Sequence, residues 1–251
     1  MSRLMAIAGK GGVGKTTFAA LALNYFLQRE GPVLAVDADP NSNLPVSLGL
    51  KPELTIGEVL EEFMSAKFKL PAGMTRQNWL ETRLNQAVIE SRGLDLVVMG
   101  RPEGPGCYCS PNAVLRDFLD RLRGNYQWVV LDNQAGMEHL SRRTAGKIDC
   151  LVFVADPAVK SLRTVQSLKQ LAGELKLEPA KMFLALNRAG KIEPRVEQLI
   201  KNLKLDFLGA LPEDPAIAEY DLAEKSLLLL PPNSPALQAS ERILENLAKR
   251  V

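Results

Sequence analysis

The chain has 251 residues, of which 46 % are hydrophobic and 24 % are charged, as in a folded domain with an ample core. Its formal net charge of +2 gives no general attraction to nucleic acid or to acidic membranes. No apolar run is long enough to cross a bilayer, and the first residues form no signal-peptide pattern. We therefore expect a cytoplasmic protein with no nucleic-acid partner and no membrane partner.

Short, almost continuously apolar segments alternate with longer segments that have helical spacing. Such segments, without alternating polar residues, are typical of parallel strands that helices cover on both faces. We therefore predict an α/β fold, a single doubly wound and mostly parallel sheet with helices on both faces, in one domain over residues 1–251. Residues 65–92 are interpreted as an irregular insertion, and residues 235–251 as a helix that closes the core. The predicted strands are 4–8, 33–37, 94–99, 128–132, 150–155, 182–187 and 206–211.

A glycine-rich segment links the first strand to the first helix. Residues 9–17 read G-K-G-G-V-G-K-T-T. In such a loop the backbone N–H groups face phosphate oxygens, and the helix N-terminus adds its positive end. Lys15 is expected to bind the β- and γ-phosphates, and the hydroxyl of Thr16 to bind Mg²⁺. The predicted nucleotide-binding residues of this loop are Gly9, Gly11, Gly12, Val13, Gly14, Lys15, Thr16 and Thr17.

Aspartates stand at or just after the carboxyl ends of two of the predicted strands. Residues 36–43 read V-D-A-D-P-N-S-N, and residues 129–136 read V-V-L-D-N-Q-A-G. The carboxyl ends of parallel strands form the edge where α/β sheets place their active sites. The carboxylates of Asp37, Asp39 and Asp132 are therefore candidate site residues, although aspartate after a strand is also a common turn former.

Two cysteines separated by one residue follow the strand at 94–99. Residues 100–112 read G-R-P-E-G-P-G-C-Y-C-S-P-N, and the thiols of Cys107 and Cys109 could chelate one Zn²⁺ or Ni²⁺ ion. Two ligands do not complete a four-coordinate site, but a second copy of the segment across a dimer axis would supply the missing pair. The spacing alone leaves a pair of thiols without a metal equally open. Cys150 opens a core strand and is predicted to be a buried apolar residue.

The second lysine of the glycine-rich loop, Lys10, makes this loop similar to that of the nitrogenase iron protein, MinD and ParA family of ATPases. The resemblance implies that Lys10 reaches the nucleotide of the opposite subunit, so that a homodimer closes around two ATP molecules. It also implies that Asp39 orients the attacking water, that Asp37 lies near Mg²⁺, and that Asp132 holds Mg²⁺ through water. The N–H of Gly136 would turn towards the γ-phosphate.

The same resemblance places the base of the nucleotide at two loops late in the chain. Asn187 ends a predicted strand, and residues 211–215 read L-P-E-D-P. In the family an asparagine and a similar turn contact adenine, which implies this role for Asn187, Pro212 and Asp214. No guanine-specific N-K-x-D motif follows the strand, so the expected nucleotides are ATP and ADP.

The segment 132–144, D-N-Q-A-G-M-E-H-L-S-R-R-T, together with G-C-Y-C resembles the CooC/AcsF-type nickel-insertion ATPases. The resemblance implies an ATP hydrolase that binds nickel through Cys107 and Cys109 at the dimer interface, with zinc possible there too. Its clients would be apo-carbon monoxide dehydrogenase or acetyl-CoA synthase. Two alternatives are an iron–sulfur-carrying ATPase reductase and a MinD- or ParA-type positioning ATPase. His139 could be a metal ligand, a dimer contact or a residue without a special role.

Overall fold

The computed structural model of the protein describes residues 2–65, 70–100, 109–134 and 147–251, except the side chains of 109–113 and 116. Within these residues the strands form one sheet in the order β3-β4-β2-β5-β1-β6-β7-β8. All neighbours pair in parallel except β3, which runs antiparallel to β4. The strands are β1 Arg3–Gly9, β2 Val33–Ala38, β3 Val88–Ile89, β4 Leu94–Val98, β5 Trp128–Asn133, β6 Cys150–Ala155, β7 Lys181–Leu186 and β8 Asp206–Ala210.

Helices cover both faces of this sheet, which confirms the predicted fold class. The helices are α1 Lys15–Arg29, α2 Leu44–Leu48, α3 Ile56–Met64, α4 Arg76–Gln86, α5 Cys109–Arg123, α6 Val159–Glu174, α7 Pro194–Leu203, α8 Pro215–Leu222 and α9 Pro235–Ala248, with a 3-10 turn at Leu227–Leu229. None of the helices described is long and apolar enough to cross a membrane.

Each central strand of the sheet contributes side chains to two hydrophobic cores, one on each face. In β1, Leu4 packs into the core under α3, α6 and α7, whereas its neighbour Met5 packs into the core under α1, α2 and α9. This alternation follows from the period of two in a strand, and it explains why both residues are apolar. Cys150 is fully buried at the start of β6, as predicted.

The order of the strands brings distant segments to one edge of the sheet. β1 lies between β5 and β6, and β5 lies between β1 and β2. Asp37 in β2 is directly opposite Asp132 in β5, and Ile7 in β1 is opposite Asp132 on the other side. The glycine-rich loop that follows β1 therefore meets both acidic strand ends.

The segment interpreted as an irregular insertion contains regular structure. Helix α4 and strand β3 both lie within residues 65–92, of which 66–69 are outside the described part. The side chain of Thr75 accepts a hydrogen bond from the N–H of Asn78 at 3.1 Å and so caps α4. The helix is polar because it buries only Trp79, Leu80 and Leu84, and this conceals its periodicity.

Candidate nucleotide site

A cavity of about 820 Å³ opens at the carboxyl ends of the central strands. Its volume falls within the range of small-molecule and cofactor sites. The glycine-rich loop forms one wall, the loop after β2 and helix α2 form the second, and the segments after β7 and β8 form the third. The lining residues are Gly11, Gly12, Gly14, Lys15, Thr16, Thr17, Asp39, Asn41, Asn43, Val46, Ser47, Gln134, Asn187, Arg188, Pro212, Glu213, Asp214, Ile217, Ala218, Tyr220, Asp221, Glu224, Lys225 and Leu227.

Two glycines of the loop stand where no side chain fits. A Cβ on Gly9 would lie 2.3 Å from the carbonyl oxygen of Val154, because β1 and β6 are neighbours there. Gly14 has a φ of 89° immediately before helix α1, and a Cβ there would lie 2.0 Å from the amide nitrogen of Asn187. The loop can therefore keep its backbone N–H groups close to a bound anion.

Lys15 begins helix α1 and is almost completely buried at the base of the cavity. Its ammonium donates a hydrogen bond to the carbonyl oxygen of Lys10 at 3.3 Å. Burial lowers the pKa of Lys15 below its ordinary value, and the carboxylates of Asp132 and Asp39 oppose this shift. A buried cation at a helix N-terminus is a strong site for phosphate oxygens.

Thr16 and Asp132 form a contact that fits a divalent cation. The hydroxyl of Thr16 donates to Oδ2 of Asp132 at 2.7 Å, while the buried Oδ1 has no partner among the residues that the structure describes. Burial raises the pKa of Asp132 to about 6, against the effects of the Thr16 hydrogen bond and the Lys15 charge. An orphaned carboxylate oxygen beside a hydroxyl is the kind of oxygen donor set that Mg²⁺ prefers.

Asp37 organises the loop that follows β2. Its Oδ1 accepts the N–H of Asp39 at 2.9 Å, and its Oδ2 accepts the N–H of Leu44 at 3.0 Å. Burial raises the pKa of Asp37 to about 7, and the Asp39 hydrogen bond opposes this shift. Both oxygens are used by the backbone, so a place for Asp37 near Mg²⁺ stays a prediction.

Asp39 is the partly exposed carboxylate of the same loop. Its Oδ1 accepts hydrogen bonds from the backbone N–H of Asn41 at 2.9 Å and from the side-chain amide of Asn41 at 3.0 Å. This turn aims Asp39 into the cavity that Lys15 also lines. The geometry is compatible with a carboxylate that orients a water molecule.

The predicted base-binding residue Asn187 also holds the glycine-rich loop. Its amide nitrogen donates to the carbonyl oxygen of Val13 at 2.9 Å. The next residue, Arg188, has a φ of 52° and donates from its guanidinium to the carbonyl oxygen of Gly12. Two successive residues after β7 therefore bind two successive carbonyls of the loop. Sequence reasoning missed Arg188, because no local pattern pairs it with Gly12.

Asp214 accepts hydrogen bonds from two helix N-termini, which its sequence position did not reveal. One oxygen accepts the N–H of Ala216 at 3.0 Å at the start of α8, and the other accepts the hydroxyl of Ser234 at 2.5 Å and the N–H of Ala236 at 3.1 Å. The carboxylate thus joins the N-termini of α8 and α9, while Pro212 lines the cavity beside it.

Helix α8 is the part of the third wall that sequence reasoning did not predict. Ile217, Ala218, Tyr220 and Asp221 line the cavity, although no residue of this helix is buried. The helix has no amphipathic pattern strong enough to reveal this face.

The family model of the CobQ/CobB/MinD/ParA nucleotide binding domain matches residues 4–227. The chain belongs to this family. An uncharacterised ATP-binding protein of Methanocaldococcus jannaschii is 40 % identical over 253 residues, covering 98 % of this chain and 99 % of the relative. The carbon monoxide dehydrogenase accessory protein CooC of Rhodospirillum rubrum is 30 % identical over 243 residues, covering 91 % and 90 %.

Among solved structures, the septum site-determining protein MinD of Pyrococcus horikoshii complexed with Mg-ADP is similar in fold. It has a TM-score of 0.73 at 22 % identity, covering 100 % of this chain and 97 % of that chain. The protein is thus a nucleotide-binding ATPase of the MinD/ParA type, and its cavity lies at the sheet edge where the sequence predicts the nucleotide.

Several predicted site residues of this MinD/ParA-type ATPase lie outside the described part of the chain. These are Cys107, Gly136 and His139. Helix α5 begins at Cys109, but the side chain of Cys109 is not described. Their predicted roles stay predictions.

The pKa of Asp132 leads to an expected pH dependence of Mg²⁺ binding. The cation needs the ionised carboxylate, so its affinity should fall by about tenfold for each pH unit below about pH 6. Titration of Mg²⁺ into the ADP complex between about pH 5 and about pH 8 measures this effect. Asp132→Asn should bind Mg²⁺ weakly at every pH. If the pH dependence persists in this variant, another group such as Asp37 carries it.

Proposed function

We propose that the protein is a homodimeric ATP hydrolase that binds nickel between its subunits and delivers it to carbon monoxide dehydrogenase or acetyl-CoA synthase. The observation that carries the hydrolase part is the Oδ1 of Asp132, which has no partner among the described residues and belongs to the carboxylate that binds the Thr16 hydroxyl; Thr16 and Lys15 both line the cavity. These groups supply an oxygen site for a divalent cation and, next to it in the chain, a cation for phosphate oxygens.

In this proposal hydrolysis depends on positioning and charge. Lys15 and the loop N–H groups hold the β- and γ-phosphates, and Asp39 orients the attacking water from the opposite wall. Mg²⁺, when bound at Thr16 and Asp132, neutralises charge on the phosphate oxygens.

The contacts of Asn187 support ATP over GTP in this proposal. With its amide nitrogen bound to Val13, the amide oxygen remains to accept a hydrogen bond. Adenine offers an amino donor where guanine has a carbonyl, so the fixed amide would select adenine.

The exposure of Lys10 supports a dimer. Its carbonyl oxygen contacts Lys15, but its side chain is exposed and makes no hydrogen bond or ion pair with the residues described. A lysine at the loop mouth that no described residue of its own subunit binds can reach a nucleotide bound to a second copy.

Lys10→Ala is expected to abolish ATP-dependent dimerisation and to slow ATP hydrolysis about 100-fold or more, because it removes a cation that acts across the interface. Each monomer should still bind ADP, since Lys15 and the loop are retained. Light scattering with a slowly hydrolysed ATP analogue measures the assembly. A variant that dimerises and hydrolyses ATP like the unmodified protein would exclude the role of Lys10 across the interface.

Two observations support the nickel part. Cys107 and Cys109 follow strand β4, which pairs with β2, the strand that carries Asp37. Strand β4 therefore ends at the same edge of the sheet as the strands that precede the nucleotide loops. The similarity to the CooC protein of Rhodospirillum rubrum, over most of both chains, is consistent with delivery of nickel to a carbon monoxide dehydrogenase.

Equilibrium dialysis with Ni²⁺ or Zn²⁺, with and without nucleotide, tests the shared site. We expect one metal ion for two chains, because each chain supplies two thiolates. Cys107→Ser and Cys109→Ser should each abolish tight binding, since each change removes two of four ligands. Cys150→Ser is the matched control and should leave binding unchanged, because Cys150 is buried in the core.

Other outcomes of these measurements would exclude the shared nickel site. One metal ion for each chain would contradict it, as would binding that survives both substitutions. Visible absorption typical of an iron–sulfur cluster in the purified protein would support the reductase instead.

A further inference from the structure

Ser226 joins the short helix α2 to the segment that follows α8. Its hydroxyl donates to the carbonyl oxygen of Leu48, the last residue of α2, at 2.8 Å. The same oxygen accepts the N–H of Leu228 at 3.3 Å, at the start of the 3-10 turn. Gly49 has a φ of 68°, and a Cβ there would lie 2.9 Å from the Cβ of Ser226. The end of α2 is therefore packed closely on Ser226.

The other end of α2 is bound to the loop that follows β2. The N–H of Leu44 donates to Asp37, whose second oxygen accepts the N–H of Asp39. Leu44 and Leu48 are buried in the core that also contains Leu227. Helix α2 is thus a short, anchored connection between Asp39 at one end and Ser226 at the other.

Ser226 is also linked to the wall of the cavity that α8 forms. The N–H of Lys225 donates to the carbonyl oxygen of Tyr220 at 2.8 Å, and the hydroxyl of Tyr220 donates to the carbonyl oxygen of Leu229 at 3.0 Å. Ile217 and Tyr220 face the cavity, yet no residue of α8 is buried. Ala216, Ile217 and Tyr220 contact the core only as partly buried residues, so a ligand that packs against this helix can stabilise it further.

We propose that Ser226 is a positioning residue that couples binding of a nucleotide base, at the part of the cavity lined by α8, to the position of Asp39. A nucleotide base that packs against α8 stabilises the segment that ends at Ser226. The hydrogen bond from Ser226 to Leu48 then fixes the position of α2. Asp37, which binds the N–H groups of both Leu44 and Asp39, fixes the backbone of Asp39 in turn. The inference rests on the proposed function for its catalytic consequence. Its structural part, base-dependent ordering of the loop after β2, does not need hydrolysis.

Hydrogen–deuterium exchange with AMP as the probe tests the structural part. In the unmodified protein AMP should slow exchange in both 215–225 and 39–50. In Ser226→Ala it should slow exchange in 215–225 alone, because the link to α2 is lost. Pyrophosphate lacks the base, so it should not slow exchange in 215–225. Protection of 39–50 by AMP in Ser226→Ala, or none in the unmodified protein, would overturn the inference.

Steady-state kinetics test the catalytic part. Ser226→Ala should lower kcat for ATP about three- to tenfold, the size expected for one lost hydrogen bond, with little change in KM. Hydrolysis of tripolyphosphate, which has no base, should be unchanged. An equal loss with both substrates would show a merely structural role and contradict the inference.

Ser240→Ala is the matched control, because its hydroxyl also donates to a backbone carbonyl, that of Leu237 at 2.7 Å, but in α9. It should retain the kcat of the unmodified protein and its AMP protection of 39–50. If it loses this protection as Ser226→Ala does, the inference fails. If the unmodified protein hydrolyses no ATP, the proposed function fails, while the exchange experiment still decides the role of Ser226.

Discussion

Replacing Lys15 with alanine is expected to weaken ATP and ADP binding about 10- to 100-fold, the largest loss of affinity for any single residue of the cavity. Lys15 is the buried cation at the N-terminus of α1, and its ammonium donates a hydrogen bond to the carbonyl oxygen of Lys10 in the glycine-rich loop. The substitution removes charge-assisted hydrogen bonds to phosphate and leaves the loop backbone in place. Isothermal titration with ATP, ADP and AMP measures the effect.

Comparing the loss of affinity for ATP, ADP and AMP shows whether a lost phosphate contact causes it. AMP lacks the β- and γ-phosphates, so its affinity should change little in Lys15→Ala. Lys201→Ala, an exposed lysine on α7, is the control for loss of one positive charge and should bind all three nucleotides normally. An equal loss for AMP and ATP would mean that the substitution damages the fold around α1 and not a phosphate contact.

The strands of the sheet could be predicted because they are continuous apolar segments that helices cover on both faces. Each predicted strand is present, and the helix expected near the end of the chain buries Ile243, Leu244 and Leu247 as α9. Strand β3 was missed, since Val88 and Ile89 alone are too short to form a pattern. Helix α4 was missed because its few buried residues lie among polar ones.

The site could be predicted where its residues follow one another in the chain. The glycine-rich loop, Lys15 and Thr16 are read from nine consecutive positions, and the structure places them on one wall of the cavity. Contacts between distant residues could not be read in this way. Arg188 meets Gly12 only because β7 lies two strands from β1 in the sheet, with β6 between them.

Residues with a predicted ligand role also proved to hold the cavity walls together. Asn187 binds the backbone of Val13, and Asp214 joins the N-termini of two helices through Ala216 and Ser234. Substitution of either residue would therefore change the shape of the cavity as well as its chemistry. Asp39 is better suited to a test of mechanism, because its carboxylate accepts hydrogen bonds only from Asn41, two residues further on, among the residues described.

Asp39→Asn is expected to lower ATP turnover about 100-fold or more while ATP affinity stays within about threefold. Asparagine keeps an oxygen that can accept both hydrogen bonds from Asn41, so the turn should persist. What is lost is the charge that orients the attacking water. Phosphate release under multiple turnover gives the rate, and titration with a slowly hydrolysed analogue gives the affinity.

Asp156→Asn provides a matched control for this prediction. Asp156 follows β6 as Asp39 follows β2, and its Oδ1 accepts the N–H of Ala158 at 3.3 Å in a similar turn, but it does not line the cavity. The control should hydrolyse ATP at the normal rate, because the same change of charge occurs away from the phosphates. Normal turnover in Asp39→Asn would remove this carboxylate from the mechanism. If Asp156→Asn were equally slow, the loss would reflect the net charge near the sheet edge and not the position of Asp39 opposite Lys15.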